Sequence, residues 1–142
     1  MTITSAQKSI IIDTNFYISS LFEQETHHFE TIRKINVYEK QNILICLPEP
    51  IVFEIISVMR RKNFSKHLIK NFYNKLTTDS NYKILHINFE ELCQQGIDFP
   101  MRNDLKAIDY QFLLYCVKFE PNLIETYDNQ IIKTLFKRTK SI

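Results

Sequence analysis

The sequence alternates short apolar runs with longer segments that have helical periodicity. Predicted strands lie at 8–13, 43–46, 82–87 and 122–126; the first two contain continuous apolar runs, at 10–12 and 43–46, and the third alternates. A continuous run is typical of a strand that is buried on both faces, as the strands of a parallel sheet are. This order of segments predicts an α/β fold, a three-layer α/β/α sandwich around a central parallel sheet of four to five strands.

The segments between these runs predict helices whose ends are marked by prolines and capping residues. Pro48 and Pro50 suit the first turn of a helix, where the amide hydrogen that proline lacks is not needed. Ser65 can cap the next helix through its hydroxyl. The predicted helices cover about 14–22, 27–41, 48–62, 65–76, 88–96, 104–118 and 128–137.

Length and composition restrict the class of protein. The 142 residues and 17.0 kDa predict a single domain over 1–142. Gly96 is the one glycine, which excludes glycine-rich phosphate loops. Three scattered cysteines are typical of reduced thiols in a cytosolic protein. The polar N-terminus and the lack of an apolar run of about 20 residues argue against a signal peptide and a membrane span, so we expect a cytoplasmic protein without a membrane partner.

Four carboxylates stand among apolar neighbours. Asp13 closes the first apolar run and Asp128 follows the last, while Glu54 and Asp109 lie on the apolar sides of predicted helices. Sites in open α/β sheets form beyond the carboxyl ends of the strands. A charge among apolar groups is costly unless something compensates it, so the four acids together predict a site for a divalent cation. An all-oxygen ligand set favours Mg²⁺ or Mn²⁺.

Simpler structural roles stay open for each of these acids. Asp13 and Asp128 could each cap the helix that follows. Asp104 could be a first-turn acid that complements a helix dipole. Capping does not explain an acid in the middle of an apolar helix, so Glu54 and Asp109 would need a buried salt bridge instead.

In their order along the chain, these segments resemble a PIN domain. The resemblance rests on residues 10–15 (IIIDTN), 47–55 (LPEPIVFEI), 105–109 (LKAID) and 123–128 (LIETYD), and it covers nearly the whole chain. Proteins of this family are metal-dependent nucleases with a parallel sheet and an acidic pocket. Many bacterial members are VapC-type toxins of toxin–antitoxin pairs that cleave RNA.

The resemblance implies an endoribonuclease that hydrolyses phosphodiester bonds with Mg²⁺ or Mn²⁺. Its metal ligands, which would also be the catalytic acids, are Asp13, Glu54, Asp109 and Asp128. Asn15 and Thr126 would hold these carboxylates through hydrogen bonds, and Asp104 would be a further supporting acid. The resemblance implies RNA as the substrate. An antitoxin protein and a second copy of the chain stay open as further partners.

Two basic stretches are candidates for binding the RNA backbone, although a solvated helix face explains either one alone. The first stretch, at 60–70, includes Arg60, Arg61 and Lys62, and the second, at 133–140, includes Lys133, Lys137 and Arg138. Tyr110 and Tyr127 are candidates for stacking on a base.

Two other functions stay open at this point. The first is a catalytically weak PIN-like module that binds nucleic acid or another protein. The second is a Rossmann-like phosphotransfer or phosphatase domain with an aspartate nucleophile, although residues 13–15 lack a paired DxD motif. Glu125 stands in the last strand where an apolar residue is usual, so we expect either an edge strand there or a role for Glu125 in the site.

Overall fold

A computed structural model describes residues 7–99, 105–132 and 134 of the chain. Its four strands form one sheet with the order β3-β2-β1-β4, in which every pairing is parallel. The strands are β1 (Ser9–Ile12), β2 (Leu44–Pro48), β3 (Tyr82–Leu85) and β4 (Leu123–Glu125). The parallel sheet and the α/β fold that the sequence predicts are confirmed.

Six helices cover this sheet in the described part of the chain, and a further helical turn begins at Asn129. The six are α1 (Thr14–Leu21), α2 (His28–Lys40), α3 (Glu49–Arg61), α4 (Lys66–Thr78), α5 (Phe89–Asp98) and α6 (Ala107–Phe119). Ser65 caps α4 as predicted, because its hydroxyl accepts a 3.2 Å hydrogen bond from the backbone N–H of Leu68. No helix among the described residues is long and apolar enough to cross a membrane.

The two inner strands carry the centre of the hydrophobic core. Ile11, Ile12 and Ile45 are fully buried because helices cover both faces of the sheet. The outer strand β4 is short, and Glu125 at its end forms an ion pair of 3.2 Å with Lys34 of α2. Of the two expectations for Glu125, the edge position is therefore the observed one.

The strand order creates a crevice at one end of the sheet. The chain runs outward from β1 through β2 to β3, and it then returns to the opposite side of β1 to form β4. Ligands of open α/β sheets bind at such a reversal, beyond the carboxyl ends of the two strands that flank it. The ladder continues one residue past β1, since the N–H of Asp13 donates to the carbonyl of Glu125, the last residue of β4, at 3.0 Å. Asp13 and the residues after Glu125 therefore meet at this crevice.

Candidate acidic site at the strand-order reversal

Asp13 is the most buried acid of the site. It follows β1 directly, is 4% exposed, and caps α1 by accepting a 2.8 Å hydrogen bond from the N–H of Thr14 at Oδ1. Burial raises the pKa of Asp13 from 3.8 to about 6, against the opposing hydrogen bonds from Thr126 and Thr14. The charges of Asp109 and Glu54 raise this pKa further. Asp13 therefore does cap the helix that follows, as one of the alternatives predicted. The cap nevertheless leaves the negative charge of Asp13 poorly compensated.

Asn15 and Thr126 join the two sides of the crevice. The hydroxyl of Thr126 donates to Asp13 Oδ2 at 2.9 Å and accepts from the N–H of Asp128 at 3.0 Å. The side-chain N–H of Asn15 lies 3.4 Å from the same Asp13 oxygen, and its Oδ1 accepts from the N–H of Tyr127 at 2.9 Å. Both side chains are thus hydrogen-bonded to the buried acid.

Asp109 enters the crevice from α6. This helix begins at Ala107, so Asp109 lies in its first turn and not in the middle of a helix, as the predicted bounds of 104–118 had placed it. An acid in a first turn is favoured by the helix dipole. Its pKa is nevertheless raised, first by partial burial and then by the charges of Asp128 and Glu54. Burial and the neighbouring acids therefore outweigh the helix dipole, which would lower the pKa of Asp109.

Glu54 lies in the second turn of α3 as predicted and is half-buried. It acts on the pKa values of both Asp13 and Asp109 by charge repulsion. A like charge raises a carboxyl pKa when it lies close by, so Glu54 adds its charge to the same acidic site.

Asp128 combines the two roles that the sequence left open. Its Oδ1 caps the helical turn that follows, accepting from the N–H groups of Gln130 at 2.8 Å and Ile131 at 3.2 Å. It also raises the pKa of Asp109 by charge repulsion. The cap uses one carboxylate oxygen, and a carboxylate has about four acceptor positions in total.

The oxygen atoms of these acids are suitable ligands for a hard cation, although the described side chains are not arranged as a metal site. Among the described residues, no group of three or more His, Cys, Asp or Glu side chains is arranged to hold a metal ion. The charge of Glu54 nevertheless acts on both Asp13 and Asp109, the charge of Asp128 acts on Asp109, and all of the donor atoms are oxygens. Oxygen ligands and uncompensated negative charge are what Mg²⁺ and Mn²⁺ require. Among the residues that the structure describes, one hydrogen bond reaches Asp13 Oδ1, from the N–H of Thr14, so this oxygen keeps acceptor capacity.

The predicted basic residues lie at the far end of α3 from its first turn. Arg60, Arg61 and Lys62 are exposed at the end of the helix, about 9–12 Å beyond Glu54 along the axis at 1.5 Å per residue. Arg61 is seven residues after Glu54 and therefore shares its helix face. The ammonium of Lys62 lies 5.9 Å from the ring centre of Phe22. Asp104 and the predicted second basic stretch, Lys133, Lys137 and Arg138, lie outside the described residues.

The two tyrosines suggested for base stacking already have partners. The ring of His27 lies parallel to that of Tyr127 at 4.0 Å, and Phe16 packs against the same ring at 5.4 Å. The hydroxyl of Tyr110 donates to the carbonyl of Gly96, and its ring lies 6.3 Å from that of Phe99. These contacts favour a packing role for both rings over base stacking.

The sequence reasoning missed the part of α2 that supports this site. Thr31 is fully buried and its hydroxyl lies 2.7 Å from that of Tyr127. His27, Thr31 and Lys34 are spaced by four and three residues, so they share one helix face. The sequence carries no signal for this contact, because Thr31 and its partner Tyr127 are 96 residues apart.

An apolar groove of about 690 Å³ lies between α3, α5 and α6 and contains none of the four acids. Phe53 and Phe89 line it and are 75% and 78% exposed. Exposed apolar surface of this kind is typical of interaction surfaces. The groove therefore belongs to a different surface from the acidic crevice.

The fold is similar to that of a bacterial toxin of known structure. VapC20 from Mycobacterium tuberculosis, described as a sarcin–ricin loop cleaving toxin, superimposes with a TM-score of 0.69 at 14% sequence identity. The match covers 88% of this chain and 94% of VapC20. No family model and no curated protein sequence matches the chain. At this identity the similarity establishes a PIN-like, VapC-like fold, and the function has to be argued from the site.

Proposed function

We propose that the chain, as a single PIN-like domain over 1–142, is a ribonuclease that hydrolyses phosphodiester bonds. The observation that carries this proposal is the buried Asp13, held by Thr126, Asn15 and Thr14 where the strand order reverses. Glu54, Asp109 and Asp128 add negative charge around it. A folded protein keeps such a destabilising cluster where a ligand compensates it, and perturbed pKa values are typical of functional sites. The VapC-like fold supports the same reaction class by analogy.

The proposed cofactor is Mg²⁺ or Mn²⁺, with Asp13, Glu54, Asp109 and Asp128 as its ligands. A divalent cation bound there would polarise the phosphate and lower the pKa of the attacking water. The chain itself contributes the orientation of the acids. Thr126 and Asn15 hold one oxygen of Asp13, and the N–H of Thr14 holds the other. Asp128 is fixed by its own helix cap.

RNA cleavage by the metal-supplemented protein tests this proposal directly. A hairpin with the sarcin–ricin loop and an unstructured RNA serve as two substrates, each assayed with Mn²⁺, with Mg²⁺ and with EDTA. Cleavage should require the cation and should be lost in Asp13→Asn and Asp109→Asn. Asp98→Asn, on the exposed side of α5, is the matched control and should cleave like the wild type. Cation-independent cleavage, or full activity of Asp13→Asn, would refute the metal site.

A second candidate function is a PIN-like module that binds nucleic acid or a protein with little catalysis. It is favoured by one observation, the lack of an assembled three-ligand metal group among the described residues. Under this alternative, RNA would bind equally well with EDTA and would remain intact with either cation. The cleavage assay above therefore separates the two functions.

We further propose that the protein acts in the cytoplasm as the toxin of a toxin–antitoxin pair. The proposed protein partners are an antitoxin and a second copy of the chain. The exposed Phe53 and Phe89 beside the apolar groove support a protein partner of some kind. The gene next to this one tests the first partner, since it should encode a small protein that suppresses the toxicity. Light scattering of the purified chain tests the second.

A further inference from the structure

Tyr127 lies in the segment that carries two of the site's side chains. Residues 126–128 belong to no strand or helix, yet they make hydrogen bonds to both Asp13 and Asn15. The Tyr127 N–H donates to Asn15 Oδ1, and the neighbouring residues are Thr126 and Asp128. The position of this segment therefore decides how Thr126 and Asp128 meet the other acids.

The side chain of Tyr127 is fixed by three groups that lie far away in the sequence. Its hydroxyl is 2.7 Å from Thr31 Oγ1, and its ring stacks on His27 with an interplanar angle of 13°. Phe16, which is fully buried, packs against the ring at 5.4 Å. Stacked aromatic rings and a partly buried hydrogen bond each contribute to holding one rotamer. Tyr127 is thus an anchored residue within an irregular segment.

The residues that hold Tyr127 and β4 lie on one face of α2 and on His27, which directly precedes this helix. His27 and Thr31 contact Tyr127, and Lys34, one turn further on, pairs with Glu125 at the end of β4. Within the part of the chain that the structure describes, β1 is the one strand paired with β4, which is three residues long. Side chains of α2 and of His27, the residue before it, therefore support this short strand and the segment that follows it.

We infer that Tyr127 is a positioning residue, which acts by fixing Thr126 and Asp128 relative to Asp13. The expected effect on metal binding and cleavage rests on the proposed function, in which these acids are the metal ligands. It assigns to α2 a role in the site, although α2 supplies none of these ligands. Tyr127 acts through the backbone of its own segment and through Asn15, and it needs no contact with RNA.

Two variants that each remove one hydroxyl test the inference. Thr31→Val keeps the shape of the buried side chain, and Tyr127→Phe keeps both ring contacts. Residues that orient a metal ligand typically change metal affinity by about 10–100-fold. We expect each variant to weaken Mn²⁺ binding about tenfold by calorimetry, and to lower kcat at limiting Mn²⁺ with KM for RNA unchanged. Thr31→Ser retains the hydroxyl and should restore wild-type values.

Tyr73→Phe is the matched control. It also removes one tyrosine hydroxyl, but from α4, which packs on β3 at the opposite edge of the sheet. Mn²⁺ affinity and kcat should stay at wild-type values in this control. An equal loss in Tyr73→Phe would overturn the inference, because the effect would then be general destabilisation.

A metal-free measurement separates this inference from the proposed function. In Thr31→Val and Tyr127→Phe, the amides of Tyr127 and Asp128 should exchange with solvent about tenfold faster, as expected when a local hydrogen-bonded segment loosens. The amides of β1 should keep their wild-type rates. Unchanged exchange at 127 and 128 in both variants would overturn the inference, even in a protein that cleaves RNA. Faster exchange supports it even if the wild type binds no Mn²⁺, a result that would instead refute the proposed metal site.

Discussion

The hydroxyl of Thr126 donates a 2.9 Å hydrogen bond to Asp13 Oδ2, although 113 residues separate the two in the sequence. The contact connects the carboxyl ends of β1 and β4 at the crevice, because each residue directly follows one of these strands. It also lowers the pKa of Asp13, opposing the effect of burial. One hydroxyl therefore limits how far the buried acid departs from its ordinary ionisation.

Removal of this hydroxyl should raise the pKa of Asp13 and weaken metal binding. In Thr126→Val, the pKa should rise above the wild-type value of about 6, because a hydrogen bond to the charged form is lost. Mn²⁺ affinity should fall by about 10–100-fold. Carbon-detected NMR titration of the carboxyl group measures the first effect, and calorimetry measures the second. Thr126→Ser should behave like the wild type. A lower pKa in Thr126→Val would contradict the role assigned to this bond.

The raised pKa of Asp13 predicts a specific pH dependence of stability without metal. Between pH 3.8 and about 6 the folded chain binds more protons at Asp13 than the unfolded chain does. The free energy of unfolding should therefore fall as the pH rises through this window, by about 3 kcal/mol at 1.36 kcal/mol per pKa unit. Above about pH 6 this group should contribute no further change.

Asp13→Asn provides the comparison for this effect. Because Asn does not titrate, the decrease across the pH window should be much smaller in this variant. Urea unfolding in EDTA, from pH 4 to pH 8, measures both proteins. Parallel curves for the wild type and Asp13→Asn would show that Asp13 ionises normally.

A divalent cation should stabilise the wild type and not the variants that lack a ligand. Binding to the folded chain alone adds about 2.7 kcal/mol at a cation concentration 100 times Kd, or roughly 5–10 °C in Tm for a chain of this size. Asp13→Asn and Asp109→Asn should lose most of this shift. Differential scanning calorimetry with millimolar Mn²⁺ is the measurement, and an unchanged wild-type Tm would count against the site.

Asp109→Asn should separate activity from stability. The charges of Asp128 and Glu54 repel Asp109, so removing its charge should leave the metal-free chain equally or more stable. RNA cleavage should be lost by more than the roughly 10–100-fold typical of residues that only orient a ligand. A buried salt bridge would give the reverse pattern, with a loss of roughly 3–5 kcal/mol and cleavage retained. Chemical denaturation and the cleavage assay distinguish these outcomes.

Much of the fold could be predicted because its signals are local. The apolar runs at 10–12 and 43–46 reflect strands covered on both faces, and Ser65 caps its helix through a hydrogen bond to the N–H three residues later. The position of Asp13 beyond a strand end followed from the same pattern. Such features depend on residues that are close together in the chain.

The support of the site could not be predicted from such local signals. Thr31 and Tyr127 form their hydrogen bond across 96 residues, and neither has a sequence pattern that identifies the other. The start of α6 was also missed. This put Asp109 in the middle of a predicted helix, although it lies in the first turn. Contacts between distant segments depend on the assembled sheet, and helix ends are the least certain part of a periodic pattern.

The last prediction concerns the basic end of α3. Replacing Arg60, Arg61 and Lys62 with Gln should weaken RNA binding, because contacts to phosphate groups are lost. Each lost contact should also reduce the slope of log affinity against log salt concentration by about 0.7 for single-stranded RNA. The choice of cleavage site should not change, since phosphate contacts carry no sequence information. Filter binding of the Asp13→Asn background at several salt concentrations measures affinity without cleavage.

The geometry of α3 divides this effect unequally among the three residues. Arg61 shares the helix face of Glu54, whereas Arg60 points about 120° away from it at 100° per residue. RNA held against the acidic crevice should therefore contact Arg61 first, and Arg61→Gln alone should reproduce most of the loss in affinity and slope. Arg60→Gln is the matched control on the same helix turn and should change little. Equal effects of the two variants would indicate a diffuse electrostatic attraction, and no effect of the triple variant would leave these side chains as a solvated helix end.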